Sequence, residues 1–165
     1  MTFSVVPFRG IHSAWFPALF LLLLFVQGCS LRHGASESEG SASGRAISET
    51  ALSMVGVPYK PGGADPKTGF DCSGLVSWSY SRNGISLPRT TGGQSGLGSA
   101  VRRSGLKPGD ILVFRIKNGL HTGIYTGAGK FVHSPGRGKT VRVDDVHGAY
   151  WQPRFVAGRR LKRVY

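Results

Sequence analysis

The sequence predicts one α+β domain, in which N-terminal helices pack on a central antiparallel sheet of about five to six strands. Its 165 residues are enough for one domain with an appendage, and a hydrophobic content of 40% excludes a disordered chain. Two segments with helical periodicity come first, and short apolar segments bounded by Gly, Pro or Asn follow. Because helices and strands occupy separate parts of the chain, we expect an antiparallel sheet rather than an alternating α/β arrangement.

Residues 1–28 are predicted to be an export signal that lies outside the fold. Their apolar run, residues 18–26, is about half as long as a membrane-spanning helix requires. The run ends in Val26-Gln27-Gly28-Cys29, which resembles the lipobox of bacterial lipoproteins. That resemblance implies cleavage before Cys29 and lipidation of its thiol. Because Ser30 follows, it also implies anchoring at the periplasmic face of the outer membrane.

The two cysteines of the chain, Cys29 and Cys72, allow two interpretations. If Cys29 carries lipid, Cys72 has no partner, and a lone thiol in an oxidising compartment indicates a chemical use. If the protein is secreted without lipid, the two cysteines can form a disulfide. Residues 29–44 are rich in Ser, Gly and Glu, which is typical of a linker, so the folded domain is predicted over residues 45–165.

Two short helices are predicted at the start of this domain. The first covers residues 46–55 and ends before Pro58, because proline disfavours helical backbone in the residue that precedes it. The second covers Cys72–Arg82, where apolar residues recur three and four positions apart, and Asn83-Gly84 ends it. The predicted strands are Ile111–Ile116, His121–Thr126, Lys130–Ser134, Thr140–Val143 and Phe155–Val164.

Cys72 and two histidines are the candidate catalytic groups. Cys72 begins a predicted helix, where the partial positive charge of the N–H groups predicts a lowered thiol pKa and a donor for an oxyanion. If Gly127-Ala128-Gly129 forms a hairpin turn that pairs Thr126 with Lys130, Gly123 lies opposite His133. His121 and His133 then become diagonal neighbours on one sheet face, with Cα atoms about 7–8 Å apart. Such a pair suits a general base and a residue that orients it. A buried structural cysteine, core histidines and a zinc site remain alternatives at this point.

Ordered motifs run through the whole predicted domain. They are Tyr59-Lys60-Pro61-Gly62-Gly63, Phe70-Asp71-Cys72-Ser73-Gly74-Leu75-Val76, Leu87-Pro88-Arg89-Thr90-Thr91, Gln94, Pro108-Gly109-Asp110, His121-Thr122-Gly123-Ile124-Tyr125 and Phe131-Val132-His133. Together they resemble the NlpC-type cell-wall cysteine peptidases, most closely the outer-membrane lipoprotein murein endopeptidases. Two departures, Pro61 in place of an aromatic residue and Thr122 in place of Val or Ala, affect the shape of the subsites and remove no catalytic group.

The resemblance implies a papain-like α+β fold and a role for each matching residue. The implied roles are Cys72 as nucleophile, His121 as general base, His133 as third polar residue, Tyr59 as a site-lining residue that assists the oxyanion, and Asp71 and Ser73 as the pair flanking the nucleophile. The implied reaction is hydrolysis of an amide bond in or between peptidoglycan stem peptides, near meso-diaminopimelate. No cofactor or metal is expected. The alternatives are a non-catalytic peptidoglycan-binding lipoprotein, or an amidase or acyltransferase on the same scaffold.

The chain is strongly basic, with 21 Lys and Arg against 8 Asp and Glu and a formal net charge of +13. Nucleic-acid binding is the intracellular interpretation of such a surface, but the export signal argues against it. Anionic peptidoglycan stem peptides and lipopolysaccharide phosphates are the alternative partners, and a merely solvated surface is a third possibility. We expect a monomer that meets the membrane through its lipid anchor.

Overall fold

The computed structural model describes residue 2 and residues 35–162 of the chain. The predicted export signal, Cys29 and the last two residues of the final predicted strand lie outside the described residues. Residues 35–162 belong to one compact unit. Among the described residues, no helix combines the length and apolar content that a bilayer crossing requires.

Three α-helices precede the main sheet. They are α1 (Ala35–Leu52), α2 (Cys72–Ser81) and α3 (Thr91–Ser95). The first begins inside the segment predicted as linker and ends before the predicted residue 55. Residues 35–44 contain four Ser and two Gly beside two Ala and two Glu, so helical propensity does not explain this extension of α1. The second begins at Cys72 as predicted, whereas the short α3 was not predicted.

Six antiparallel strands form the main sheet, in the order β3-β8-β4-β5-β6-β7. Their bounds are β3 (Ser99–Val101), β4 (Ile111–Ile116), β5 (Gly119–Gly127), β6 (Lys130–His133), β7 (Arg142–Asp145) and β8 (Phe155–Arg160). A two-stranded hairpin of β1 (Ala64–Asp65) and β2 (Gly69–Phe70) precedes α2. The α+β class and the number of sheet strands are thereby confirmed, although β1, β2 and β3 were not predicted.

The register between β5 and β6 confirms the predicted hairpin in all but one detail. Ile124 lies opposite Val132 and Tyr125 opposite Phe131, which places Gly123 beside His133. At the turn, Lys130 pairs with Gly127 instead of Thr126, because the strand contains an irregularity between Tyr125 and Gly127. Since that irregularity lies at the turn end of the hairpin, the predicted face of both histidines is unchanged.

The fourth predicted strand, residues 140–143, was placed two residues too early. Val141 belongs to a different pairing: its N–H donates to Val57 O over 2.8 Å, and its carbonyl accepts from Gly56 N over 2.9 Å. The strand β7 therefore starts at Arg142, which lies opposite His133 on β6. Asp144 lies within β7 as a consequence.

Two apolar clusters cover opposite faces of the main sheet, because alternate residues along each strand point to opposite sides. The cluster on the helical side includes Ile47, Ala51, Leu75, Val76, Ile111, Ile124 and Val132. The cluster on the other side includes Leu112, Phe114, Phe131, Val146 and Trp151. Helix α2 is thereby fixed to the sheet, which sets where Cys72 stands relative to β5.

Candidate active site

Cys72 is the first residue of α2, and the residue before it caps the helix. The Asp71 side chain accepts a hydrogen bond from Gly74 N over 2.7 Å, and its carbonyl accepts from Leu75 N over 3.0 Å. At this position the Cys72 amide has no carbonyl partner within the helix, since the first N–H groups of any helix lack one. That N–H is available to an oxyanion that forms on a carbonyl attacked by the thiol.

Arg89 holds the two residues that flank Cys72. Its guanidinium donates to both carboxylate oxygens of Asp71, over 2.9 and 2.8 Å, and to Ser73 Oγ over 3.0 Å. It also donates to Gly63 O over 2.9 Å. Burial opposes ionisation of Asp71, but the hydrogen bonds from Arg89 and Gly74 hold its carboxyl pKa below the usual range. The structure thus ties Asp71 and Ser73 to one cation beside Cys72.

The thiol of Cys72 does not show the lowered pKa that its helix position predicts. Burial raises its pKa, and the carboxylate of Asp71 raises it further, whereas the backbone N–H groups of Thr122 and Ser73 act in the opposite direction. The prediction was wrong because it considered the helix terminus and left out the desolvation of a partly buried side chain. The resting group is therefore a neutral thiol.

His121 on β5 and His133 on β6 form a buried pair. His121 Nε2 lies 2.8 Å from His133 Nδ1, and the two rings meet nearly at right angles. The residues are 3% and 0% exposed, respectively. Gly123 lies between the two histidines on the sheet. A Cβ atom on residue 123 would lie 3.0 Å from His133 Cβ and 2.8 Å from Val132 O. A side chain at Gly123 would therefore displace the pair.

Asp144 and Trp151 extend this pair, and neither was predicted from the sequence. Asp144 Oδ2 lies 3.0 Å from His133 Nε2 and accepts from Trp151 Nε1 over 2.8 Å and from Arg142 Nη2 over 2.9 Å. The indole ring also stacks on the His121 ring, with ring centroids 5.4 Å apart. If the sequence had placed the start of β7 correctly, Asp144 would have been a candidate site residue, because the alternation of side chains along a strand assigns it to one face of the sheet. No local pattern identifies Trp151.

Burial controls the protonation of both histidines. Desolvation, followed by the neighbouring His133, lowers the pKa of His121 to about 3. Desolvation also lowers the pKa of His133, although the Asp144 carboxylate opposes that effect. The pKa of Asp144 is itself lowered, above all by the hydrogen bond from His133. The array at neutral pH therefore consists of two neutral imidazoles and one carboxylate.

The protons of this array can be assigned from its hydrogen bonds. Because ionised Asp144 can only accept, His133 carries its proton on Nε2. The bare Nδ1 of His133 then accepts, so His121 also carries its proton on Nε2. This leaves Nδ1 of His121 as the basic nitrogen of the array, available to take the proton of a thiol.

Thr122 links helix α2, which begins at Cys72, to the strand that carries His121. Its hydroxyl donates to Gln94 Oε1 over 3.0 Å, and Gln94 Nε2 donates to Ser73 O over 2.9 Å. Both Thr122 and Gln94 are fully buried. The threonine noted above as a departure from the family pattern therefore has a structural role, because it completes the hydrogen bonds of a buried amide.

Tyr59 lies in the half-buried wall of the site. Burial raises the pKa of its phenol, the nearby Cys72 and Asp71 raise it further, and Arg137 lowers it. Its backbone N–H donates to Lys139 O over 2.9 Å, which attaches it to the loop that follows β6. The third histidine of the domain, His147, is exposed and hydrogen-bonds through its backbone to Asp145.

An α+β domain with a cysteine at a helix start and a buried histidine pair on the adjacent sheet defines the papain-like class of cysteine peptidases. The NlpC/P60 family model matches residues 56–160, and the chain belongs to this family. The solved NlpC/p60 domain of the peptidoglycan hydrolase SagA superposes with a TM-score of 0.62 at 33% identity, over 70% of this chain and 97% of that one.

Two curated relatives have similar sequences. The murein DD-endopeptidase MepH of Escherichia coli is 40% identical over 116 residues, which are 67% of this chain and 43% of that protein. The bifunctional muramidase/DL-endopeptidase CwlT of Bacillus subtilis is 38% identical over 120 residues, which are 70% of this chain and 36% of that protein. The chain thus spans less than half the length of either relative.

Proposed function

We propose that this protein is a peptidoglycan endopeptidase that uses Cys72 as its nucleophile. The observation that carries the proposal is the buried His121–His133–Asp144 array, which leaves one basic imidazole nitrogen on β5, the strand against which the helix that begins at Cys72 packs. The names of the relatives support a stem-peptide substrate, since one is called a DD-endopeptidase and the other a DL-endopeptidase.

The reaction begins from a neutral thiol and a neutral imidazole. The Cys72 proton passes to His121 Nδ1 while the sulfur attacks the amide carbon, and the oxyanion accepts from the Cys72 N–H and the Tyr59 hydroxyl. His121 then gives its proton to the leaving amine as the C–N bond breaks. Water, deprotonated by the same nitrogen, hydrolyses the thioester and releases the thiol.

The bond that we propose is adjacent to meso-diaminopimelate, either at the D,D cross-link or after D-glutamate. Digestion of cross-linked diaminopimelate-type peptidoglycan with the purified full chain, followed by mass spectrometry of the products, distinguishes the two. We expect new peptide ends with the unsubstituted protein and with His147→Gln, which alters an exposed histidine away from the site. Cys72→Ala should give none.

Other outcomes of this digestion would identify the other candidates. Retention on peptidoglycan by both the unsubstituted protein and Cys72→Ala, with no products at any pH, would indicate a binding module. Products that need Cys72 but result from a different bond or from acyl transfer would indicate an amidase or acyltransferase. Cleavage that survives in Cys72→Ala would contradict the proposed mechanism.

We also propose that Cys29 is lipidated and that the protein is a monomer at the periplasmic face of the outer membrane. The lipobox-like Val26-Gln27-Gly28-Cys29 supports this location. Intact mass of the protein from membranes should show the added acyl groups, and Cys29→Ala should lose both the mass and the membrane association. A mass smaller than that of the reduced chain by about two hydrogens would instead indicate a disulfide between Cys29 and Cys72. Light scattering of detergent-solubilised protein tests the monomer.

A further inference from the structure

Three side-chain donors converge on one carboxylate oxygen of Asp144, and one of them is the ring of His133. Its Oδ2 faces His133 Nε2 at 3.0 Å, Arg142 Nη2 at 2.9 Å and Trp151 Nε1 at 2.8 Å. Its neighbour Asp145 points elsewhere and pairs with the exposed Lys130 over 3.0 Å. Of these two consecutive carboxylates, Asp144 contacts His133 and Trp151, and Asp145 contacts neither of them.

We propose that Asp144 is a positioning residue that fixes the tautomers of both histidines, and that Trp151 fixes Asp144. The inference rests on the proposed function, because it assigns His121 as the base. Without an acceptor at His133 Nε2, the proton of that ring can move to Nδ1. His133 would then donate to His121 Nε2, and the proton of His121 would occupy Nδ1, the nitrogen that must be free to accept the thiol proton.

Asp144 also has an electrostatic effect on the reaction. When His121 takes the Cys72 proton it becomes an imidazolium in a buried position, where an unpaired charge is unfavourable. The carboxylate, one imidazole away, is the nearest negative charge of the array, and it raises the pKa of His121 against the effect of burial. Loss of its charge should therefore weaken the base even where the tautomer is retained.

Trp151 contributes through two contacts. Its Nε1–H donates to Asp144, and its ring stacks on His121 and meets the His133 ring edge-to-face at a centroid distance of 4.9 Å. The residue is 8% exposed, so the stack also covers the array from solvent. The N–H groups of Trp151 and Arg142 require an acceptor at the Oδ2 position of residue 144. This requirement sets the orientation of the amide group in Asp144→Asn.

These contacts separate two substitutions of the same residue. In Asp144→Asn, the amide oxygen must occupy the Oδ2 position, because an NH₂ group there would face the N–H donors of Trp151 and Arg142. Asp144→Asn therefore keeps the Nε2–H tautomers of both histidines and loses the negative charge of residue 144. Asp144→Ala loses the charge and also the acceptor that fixes the tautomers. Asp145→Asn is the matched control, since it removes one negative charge at the adjacent residue and leaves the array intact.

The test uses the full chain labelled with ¹⁵N-histidine and two readouts that need no substrate. We expect ring-nitrogen shifts of Nε2–H tautomers for His121 and His133 in the unsubstituted protein, Asp144→Asn and Asp145→Asn, and altered shifts in Asp144→Ala. Alkylation of Cys72 by iodoacetamide at pH 7 should slow by roughly tenfold in Asp144→Asn and by roughly 10- to 100-fold in Asp144→Ala. Asp145→Asn should leave it unchanged.

Kinetics on a cross-linked muropeptide complete the test. The two Asp144 variants should lose kcat in the same order as the alkylation rate, with KM within about twofold, because Asp144 does not touch substrate. Unchanged nitrogen shifts and alkylation in folded Asp144→Ala would overturn the inference and leave Asp144 a structural residue. If the unsubstituted protein cleaves no muropeptide, the proposed function fails, while the nitrogen shifts still decide the role of Asp144.

Discussion

The depressed pKa of His121 predicts a specific loss of stability in acid. In the folded protein the ring stays neutral down to about pH 3, whereas in the unfolded chain it takes up a proton near the ordinary value of 6.5. Between these values the unfolded state binds one more proton than the folded state. The free energy of unfolding therefore falls as the pH falls, by about 1.4 kcal/mol per pH unit for this one residue.

The perturbation that isolates this effect is His121→Asn, which removes the titrating ring. Two pH units below 6.5, at pH 4.5, the contribution of His121 amounts to roughly 2.7 kcal/mol, and full burial leaves little solvent screening to reduce it. Urea unfolding measured from pH 7 to pH 4 should give a plot of unfolding free energy against pH that is shallower in His121→Asn by about 1.4 kcal/mol per unit.

The control is His147→Asn, which removes an exposed histidine and should reproduce the slope of the unsubstituted protein. The carboxyls whose pKa values are depressed, such as Asp71 and Asp144, also make acid destabilising, but they are present in all three proteins. Equal slopes for His121→Asn and the unsubstituted protein would show that the folded state protonates His121 readily, and would refute the neutral resting imidazole.

Three further predictions follow from individual contacts. Gly123→Ala should lower the free energy of unfolding by about 1–3 kcal/mol in urea titrations and should lower kcat, because the new Cβ would lie 2.8 Å from Phe131 Cδ2 and 3.0 Å from His133 Cβ. Unchanged values would mean that β6 shifts to accommodate the methyl group at little cost. Thr122→Val should cost about 1–3 kcal/mol in the same assay, since it leaves the buried Gln94 Oε1 without its donor, whereas Thr126→Val, in the same strand near the turn, should cost less. Arg89→Lys should slow alkylation of Cys72 although the charge is kept, because an ammonium cannot replace the paired hydrogen bonds to Asp71; wild-type alkylation would show that charge alone suffices.

The histidine pair could be predicted because its geometry depends on local rules. A glycine-rich turn sets the pairing of β5 and β6, and side-chain alternation with a period of two then places His121 and His133 on one face. The irregularity near Thr126 left this result intact because it lies beyond both histidines. The resemblance to the family motifs implied roles for Cys72 and Tyr59, which local rules alone left open and which stay predictions.

The rest of the site depends on contacts between distant segments. Asp144 was missed because residues 140 and 141 look like the start of a strand, whereas Val141 pairs with Val57, a residue more than eighty positions earlier. Trp151 reaches the histidines from the segment that follows β7, and its position is set by packing against Phe114 and Phe131. Neither contact has a signature within a short stretch of sequence.

The raised pKa of the Cys72 thiol, which was predicted to be lowered, changes the charge of the site at rest. A lowered thiol pKa would have made the resting nucleophile a thiolate paired with an imidazolium. Burial instead raises the pKa of Cys72 and lowers that of His121, so both partners are neutral before substrate arrives. In the proposed mechanism, charge then develops only as the thiol proton moves to His121. The groups already in place to stabilise that charge are the helix N–H groups on one side and the Asp144 carboxylate on the other. A neutral thiol is also a poor target for oxidants, which suits an unpaired cysteine in the exported protein proposed here.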